Sequence, residues 1–211
     1  MEKVDLKRVR ADLYAPSRTD FALVNVPPMM ILAIDGHGDP NTSPAYAATL
    51  ETLYPAAYAI KMASKRELAR DFVVAPLEGL WSADDPAAFV SRQKDAWDWT
   101  MLIVQPDWIT PAFAMAAIET VARTKDLPRI ADLRVETFAE GLALQILHVG
   151  PYDAEGPTLA RLHDEVMPAR GLTFRGRHHE IYLSDARRTA PERLRTILRQ
   201  PVRPIDADPG T

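Results

Sequence analysis

The chain has 211 residues, of which 47% are apolar and 26% charged, and its net charge is −4. That composition supports one ample core or two small ones and excludes a disordered chain. An acidic balance with no basic stretch interleaved with aromatics excludes the footprint of a nucleic-acid binder, and the absence of cysteine excludes disulfides, thiolate nucleophiles and Cys-ligated zinc.

Residues 1–20 read as a polar N-terminal segment, too short for a helix-turn-helix and without the apolar stretch of a signal peptide. The longest apolar run, Met29 to Ile34, is too short to cross a bilayer, so a cytoplasmic location without membrane contact is expected. Phe21 to Ile34 is rich in β-formers, and Pro27-Pro28 divides it into two extended pieces. Ser43-Pro44 starts a helix whose Tyr46, Leu50, Leu53, Tyr54, Ala57 and Tyr58 share one face, with Pro55 expected to kink or divide it. Asp71 to Trp81 reads as extended, and Asp85-Pro86 as the start of a short helix to about Ala96. Trp97 to Val104 reads as a strand, and Thr110-Pro111 as the start of a helix.

The order of elements then repeats. Leu133 to Phe138 and Leu142 to Val149 are predicted to form a hairpin around Glu140-Gly141. A helix follows from about Glu155 to Pro168, and Arg177 to Ser184 reads as the last core strand. Thr189-Ala-Pro-Glu192 has capping-box spacing, which predicts a basic helix to Arg199 with Arg187, Arg188, Arg193, Arg195 and Arg199 on a solvated face. Residues 204–211 read as a flexible tail. The expected architecture is α+β: a duplicated strand-helix-strand-strand module with an antiparallel sheet and a ligand cleft between pseudo-twofold halves. Repeat one covers about 21–106 and repeat two about 130–203.

Aligning the two repeats places Glu78 and Glu180 at equivalent positions. A carboxylate in a half-buried strand is costly unless paired, hydrogen-bonded or functional, and the alternative is a strand that exposes one face. His178 and His179 are adjacent, so in a strand they point to opposite faces and cannot share a metal without a bulge; no metal and no cofactor is expected. His178, Glu180 and Tyr182 share a face, with His148 a further candidate beside them. His148-Val-Gly-Pro-Tyr152 ends a strand in a turn that either delivers Tyr152 to a cleft or packs it over a helix N-terminus. Tryptophans at 81, 97, 99 and 108 belong to the core or to a ligand platform; Trp81, three residues from Glu78, is placed in the pocket, and Trp108 is kept as a ligand contact. No G-x-S-x-G, H-E-x-x-H or Walker pattern is present.

Pro76-Leu-Glu-Gly-Leu-Trp81, Trp97 to Pro106, His148 to Glu155, His178 to Asp185 and Thr196 to Val202 together resemble the GyrI-like small-molecule-binding proteins from about residue 21 to 203. The resemblance implies an acidic, aromatic-lined pocket between two modules. Stand-alone members of this type are similar to cyclopropanoid hydrolases, which open the cyclopropane of DNA-alkylating natural products. Carried over by motif, Glu78 and Glu180 fall on the catalytic acidic positions, and Trp81 and Tyr152 on aromatic walls. Ser82 follows Trp81 where relatives carry a second aromatic, and Pro55 is a further departure. The expected partner is a small organic molecule, aromatic or cationic, with no nucleic acid. Turnover, non-catalytic sequestration and inhibition of a protein such as gyrase all remain open at the level of sequence.

Overall fold

The structure, a computed structural model, describes residues 3–84 and 93–205. The expected helix start at Asp85-Pro86 lies outside them, as does most of the expected C-terminal tail. In chain order the elements are β1 (Lys3–Val4), α1 (Leu6–Val9), α2 (Ala11–Tyr14), β2 (Ala22–Val26), β3 (Met29–His37), α3 (Pro44–Glu67), β4 (Asp71–Phe72), β5 (Leu77–Ser82) and β6 (Asp98–Val104). There follow α4 (Pro111–Ala122), β7 (Arg134–Phe138), β8 (Gly141–Val149), α5 (Gly156–Ala160), a π-helical segment (Arg161–Val166), α6 (Met167–Ala169), β9 (Leu172–Phe174), β10 (His178–Tyr182) and β11 (Arg195–Pro204).

The main sheet runs β2-β8-β11-β10-β5-β6-β3-β7, with β9 on β11. Its pairings are all antiparallel. Read outward from the central β10·β5 pair, β11 and β8 on one side answer β6 and β3 on the other. The α+β duplication is therefore written into the strand order. One row of paired residues, Ile34, Met101, Gly79, Glu180, Leu198 and Ile146, crosses all six strands.

The expected hairpin of the second repeat does not form. β7 pairs with β3 and β8 pairs with β2, so each module lends its leading strand to the other's edge. Gly141 adopts φ 72°, as the turn requires, but the turn serves a crossover between the two ends of the sheet.

Side chains alternate across this sheet, which gives it two differently covered faces. One face, carrying Trp99, Met101, Leu144, Ile146 and Leu198, packs under α3 on one half and under α5, the π segment and α6 on the other. The opposite face, carrying Leu147, Ile181 and Ile197, packs under Leu13 and Tyr14 of α2. Residues 1–20 are thus more than a polar arm.

Two local expectations are also corrected. Pro55 sits inside α3 but does not divide it: the helix runs for 24 residues, with Leu53, Ala56, Ala57 and Ile60 buried against the sheet. The predicted basic helix ending at Arg199 is a 3-10 turn, Pro191–Arg193, followed by β11. Arg199 is therefore a buried sheet residue, 1% exposed. The spacing of Leu194, Ile197 and Leu198 suits a helix, but central pairing with β8 and β10 outweighs local preference. Among the described residues no helix is long and apolar enough to cross a membrane.

Candidate functional site

The centre of the sheet carries polar groups on both faces, and the two sets are chemically distinct. Glu78 lies opposite Ile181 and Glu180 opposite Gly79, so their side chains leave opposite faces. The expectation of two equivalent glutamates in one pocket is corrected accordingly. The symmetry mate of Glu180 is Gly79; matching Glu78 to Glu180 is one residue out of register, and a slip of one residue turns a side chain to the other face.

On the α2 side Glu78 is fully buried within a chain of charges. Tyr14 Oη donates to Glu78 Oε1 at 2.8 Å. His179 lies between two carboxylates, its Nε2 2.9 Å from Glu78 Oε2 and its Nδ1 2.8 Å from Glu140 Oε1. Arg199 donates to Glu140 Oε2, to Gln145 Oε1 and to the Leu13 carbonyl at 2.8–3.0 Å. Burial opposes the charge on His179, but Glu140 and Glu78 outweigh it and raise its pKa to about 9. Burial likewise opposes ionisation of Glu140, and His179 with Arg199 outweighs it, lowering that pKa to about 2. Two anions and two cations thus neutralise one another. This arrangement joins β5, β8, β10, β11 and the crossover turn, and it leaves no open carboxylate for a ligand.

The helical face is different. On this face Glu180 Oε1 lies 3.6 Å from His178 Nε2. Trp81 Nε1 donates to the Tyr182 hydroxyl at 3.0 Å. Tyr182 packs edge-on against Tyr152, with ring centroids 5.8 Å apart, and Trp81 packs edge-on against Trp97 at 5.7 Å. Gly79 makes room for this group: a Cβ there would meet Trp81 Nε1 at 2.8 Å and the Tyr182 hydroxyl at 3.1 Å. Tyr46, at the start of α3, covers the same region and packs edge-on against Trp99 at 5.2 Å.

The phenols here are held in their protonated form. Burial first, and then the negative charges of Glu180 and Glu155, push Tyr152 up to about 12. Burial and Glu180 likewise raise Tyr182 and Tyr46. A carboxylate beside proton-bearing hydroxyls and the exposed Tyr152 ring can accept a proton from water or hold a cation, while its neighbours donate hydrogen bonds.

Of the residues expected at the site, Glu180, His178, Tyr182, Trp81 and Tyr152 come together on this face. His148 lies in the same face, two strands from Tyr182, with its Nε2 3.3 Å from the Pro151 carbonyl. Glu78 does not join them. Trp108 stands apart as well: its Nε1 donates to Ser64 Oγ at 3.2 Å, Arg70 stacks on its ring at 4.0 Å, and Phe72 packs against its edge. Tyr46, Gly79 and the buried Glu155 were missed. A glycine inside the strand of Pro-Leu-Glu-Gly-Leu-Trp was the available signal for Gly79, whereas nothing local marks Tyr46, which reaches the site from a helix face. Among the described residues no group of three or more His, Asp or Glu is placed to hold a metal ion.

A family model described as the GyrI-like small molecule binding domain matches residues 19–203. Among solved structures, an uncharacterized conserved protein from Listeria innocua is 39% identical, with a TM-score of 0.86 over 95% of this chain and 100% of that one. Two Listeria innocua proteins described as hydrolases are each 37% identical. They cover 95% and 96% of this chain and 100% of their own, with TM-scores of 0.83 and 0.85. The EcmrR C-terminal domain, 11% identical with a TM-score of 0.55 over 88% of this chain and 98% of that one, shares the fold alone. No curated protein matches the sequence.

Proposed function

Because the chain belongs to the GyrI-like small-molecule-binding family, we propose that it takes a planar aromatic molecule into the cleft above Glu180 and hydrolyses a strained cyclopropane ring in it, the chemistry of cyclopropanoid detoxification. The observation that carries this reading is the Glu180 carboxylate, set among phenols that stay protonated. The likeness to two Listeria hydrolases supports it.

In this reaction Glu180 accepts a proton from water as the water oxygen bonds to the ring methylene. The carbon–carbon bond breaks, and its electron pair passes through the conjugated system to the carbonyl oxygen. Tyr152, the more exposed residue of the stacked pair, donates a proton to that oxygen; Glu180 then gives up the proton it took and Tyr152 regains one, through solvent, so both side chains end as they began. The net change is addition of one water. Release of ring strain supplies much of the driving force, and acid–base assistance of about 10² to 10⁴-fold is the scale asked of the side chains.

Single-turnover conversion of a cyclopropanoid, followed by mass spectrometry beside ligand titration, tests the proposal. Glu180→Gln is expected to lower conversion at least a hundredfold while affinity for the neutral substrate stays within a few-fold. Glu78→Gln should act through stability instead. Full conversion by Glu180→Gln removes the mechanism. Tight binding by the wild-type protein with no conversion favours the second reading, capture of cationic aromatic compounds, which the carboxylate ringed by Tyr46, Tyr152, Tyr182 and Trp81 also supports.

A further inference from the structure

We infer that His178 and His163 carry away the proton that Glu180 takes from water, handing it along the helical face to a groove beside the π-helical segment. The inference rests on the reading of Glu180 as the base that activates water. Both histidines act through Glu180, as positioning residues for its proton, without touching the substrate.

His178 and Glu180 are two residues apart on β10, so alternation puts both on the helical face, and His178 Nε2 lies 3.6 Å from Glu180 Oε1. That gap closes with a small turn of either side chain or with one shared water. Neither ring nitrogen of His178 makes a hydrogen bond to a described residue, whereas its neighbour His179 is locked between Glu78 and Glu140. No hydrogen bond therefore holds the His178 ring in one orientation. His163 lies on the π-helical segment, which packs over the same face through Leu162, and it stands edge-on to Phe174 with ring centroids 4.9 Å apart. Its Nε2 is buried without a hydrogen bond to a described residue, yet the ring as a whole is half-buried and lines a groove of about 470 Å³ with Thr173, Phe174, Arg203 and Ile205.

A planar substrate lying over Glu180 covers the direct way from that carboxylate, whose side chain is 16% exposed, to water. Each turnover leaves on it a proton that must depart before the next begins. An imidazole can take a proton on one nitrogen and release one from the other. His178 accepts on Nε2 and releases from Nδ1; His163 accepts on its inner Nε2 and releases from Nδ1 into the groove. Only N–H and O–H bonds change, and turning of the rings restores the starting tautomers. Burial first, and then His178, lower the pKa of His163, so the two imidazoles oppose each other's charge and hold one proton between them rather than two. The proton is passed on instead of being trapped.

The test follows conversion of a cyclopropanoid in dilute buffer by wild type, His178→Gln, His178→Ala and His163→Asn, first with protein in excess and then with substrate in excess. The first turnover is expected within about twofold of wild type in every variant, because the relay acts only after it. Later turnovers should slow by about tenfold or more, so that product appears as a burst of one equivalent. Added imidazole should restore them in His178→Ala, where it can take the place of the lost ring, and not in His178→Gln, where a side chain fills that place. First and later turnovers slowed alike overturn the inference, since the rings would then only shape the site. Later turnovers at the wild-type rate in His178→Gln or in His163→Asn overturn it as well and leave Glu180 as the base. Equal rescue of His178→Gln and His178→Ala does the same. No conversion by wild type removes the reading of Glu180 and the relay with it.

Discussion

At the scale of single residues, position on a face decides chemistry. Glu78 and Glu180 are adjacent across one strand pair, yet the first is held by His179 and the Tyr14 hydroxyl and the second lies on the helical face. The buried charges make stability depend on pH in a defined direction. His179 has its pKa raised in the fold from 6.5 to about 9, so its contribution is complete below 6.5 and is lost as pH rises toward 9. Glu140 has its pKa lowered from 4.5 to about 2, so its contribution is complete above 4.5 and is lost as pH falls toward 2. A melting-temperature plateau between about pH 4.5 and 6.5, with decline on both sides, is expected. NMR titration of the imidazoles supplies the direct check. His179 should titrate well above the ordinary histidine range, while His163, disfavoured as a cation by burial and by His178, should titrate below it. A His179 midpoint below 6.5 would refute the charge assignment.

At the scale of elements, α2 locks the underside of the site. Its segment supplies the Tyr14 hydroxyl to Glu78, the Leu13 carbonyl to Arg199 and the Asp12 carbonyl to Gln145. All three precede residue 19, where the family match begins. Tyr14→Phe removes only the hydroxyl and leaves Glu78 Oε1 short of a donor in a dry environment. A loss of about 1–3 kcal/mol in unfolding free energy is expected from denaturant titration, with ligand affinity nearly unchanged because the cleft lies on the other face. A neutral stability effect would show that the hydroxyl is replaceable by water. Two elements also show tertiary packing prevailing over local signals: α3 continues through Pro55, and the stretch expected to be a basic helix becomes β11, whose Arg199 completes the buried charge network.

At the scale of the molecule, the exchange of leading strands makes the two repeats interdependent. β2 completes the edge of the second module and β7 that of the first, while β5 and β10 meet at the centre. Cutting the chain between Thr124 and Lys125 therefore leaves each half with unpaired edges and separates Glu78 from His179, Glu140 and Arg199. Each half expressed alone is expected to be unfolded or aggregated, and co-expression should restore a folded complex. A dispersed amide NMR spectrum from either half alone would show that the module folds without its partner.

The duplication and the shared face of His178, Glu180 and Tyr182 were legible in the residues, because strand alternation is a local property that repeats along the chain. Family membership was legible for the same reason: its motifs are short runs of consecutive residues. The partner of each edge strand, the burial of Arg199 and the separation of Glu78 from Glu180 were decided only by the tertiary structure. Pairing joins residues far apart in the chain, and a register error of a single residue, which hardly alters the match between two repeats, reverses the face to which a side chain points. For that reason one glutamate became part of a buried ion network and the other faces the helices, beside Tyr182 and His178.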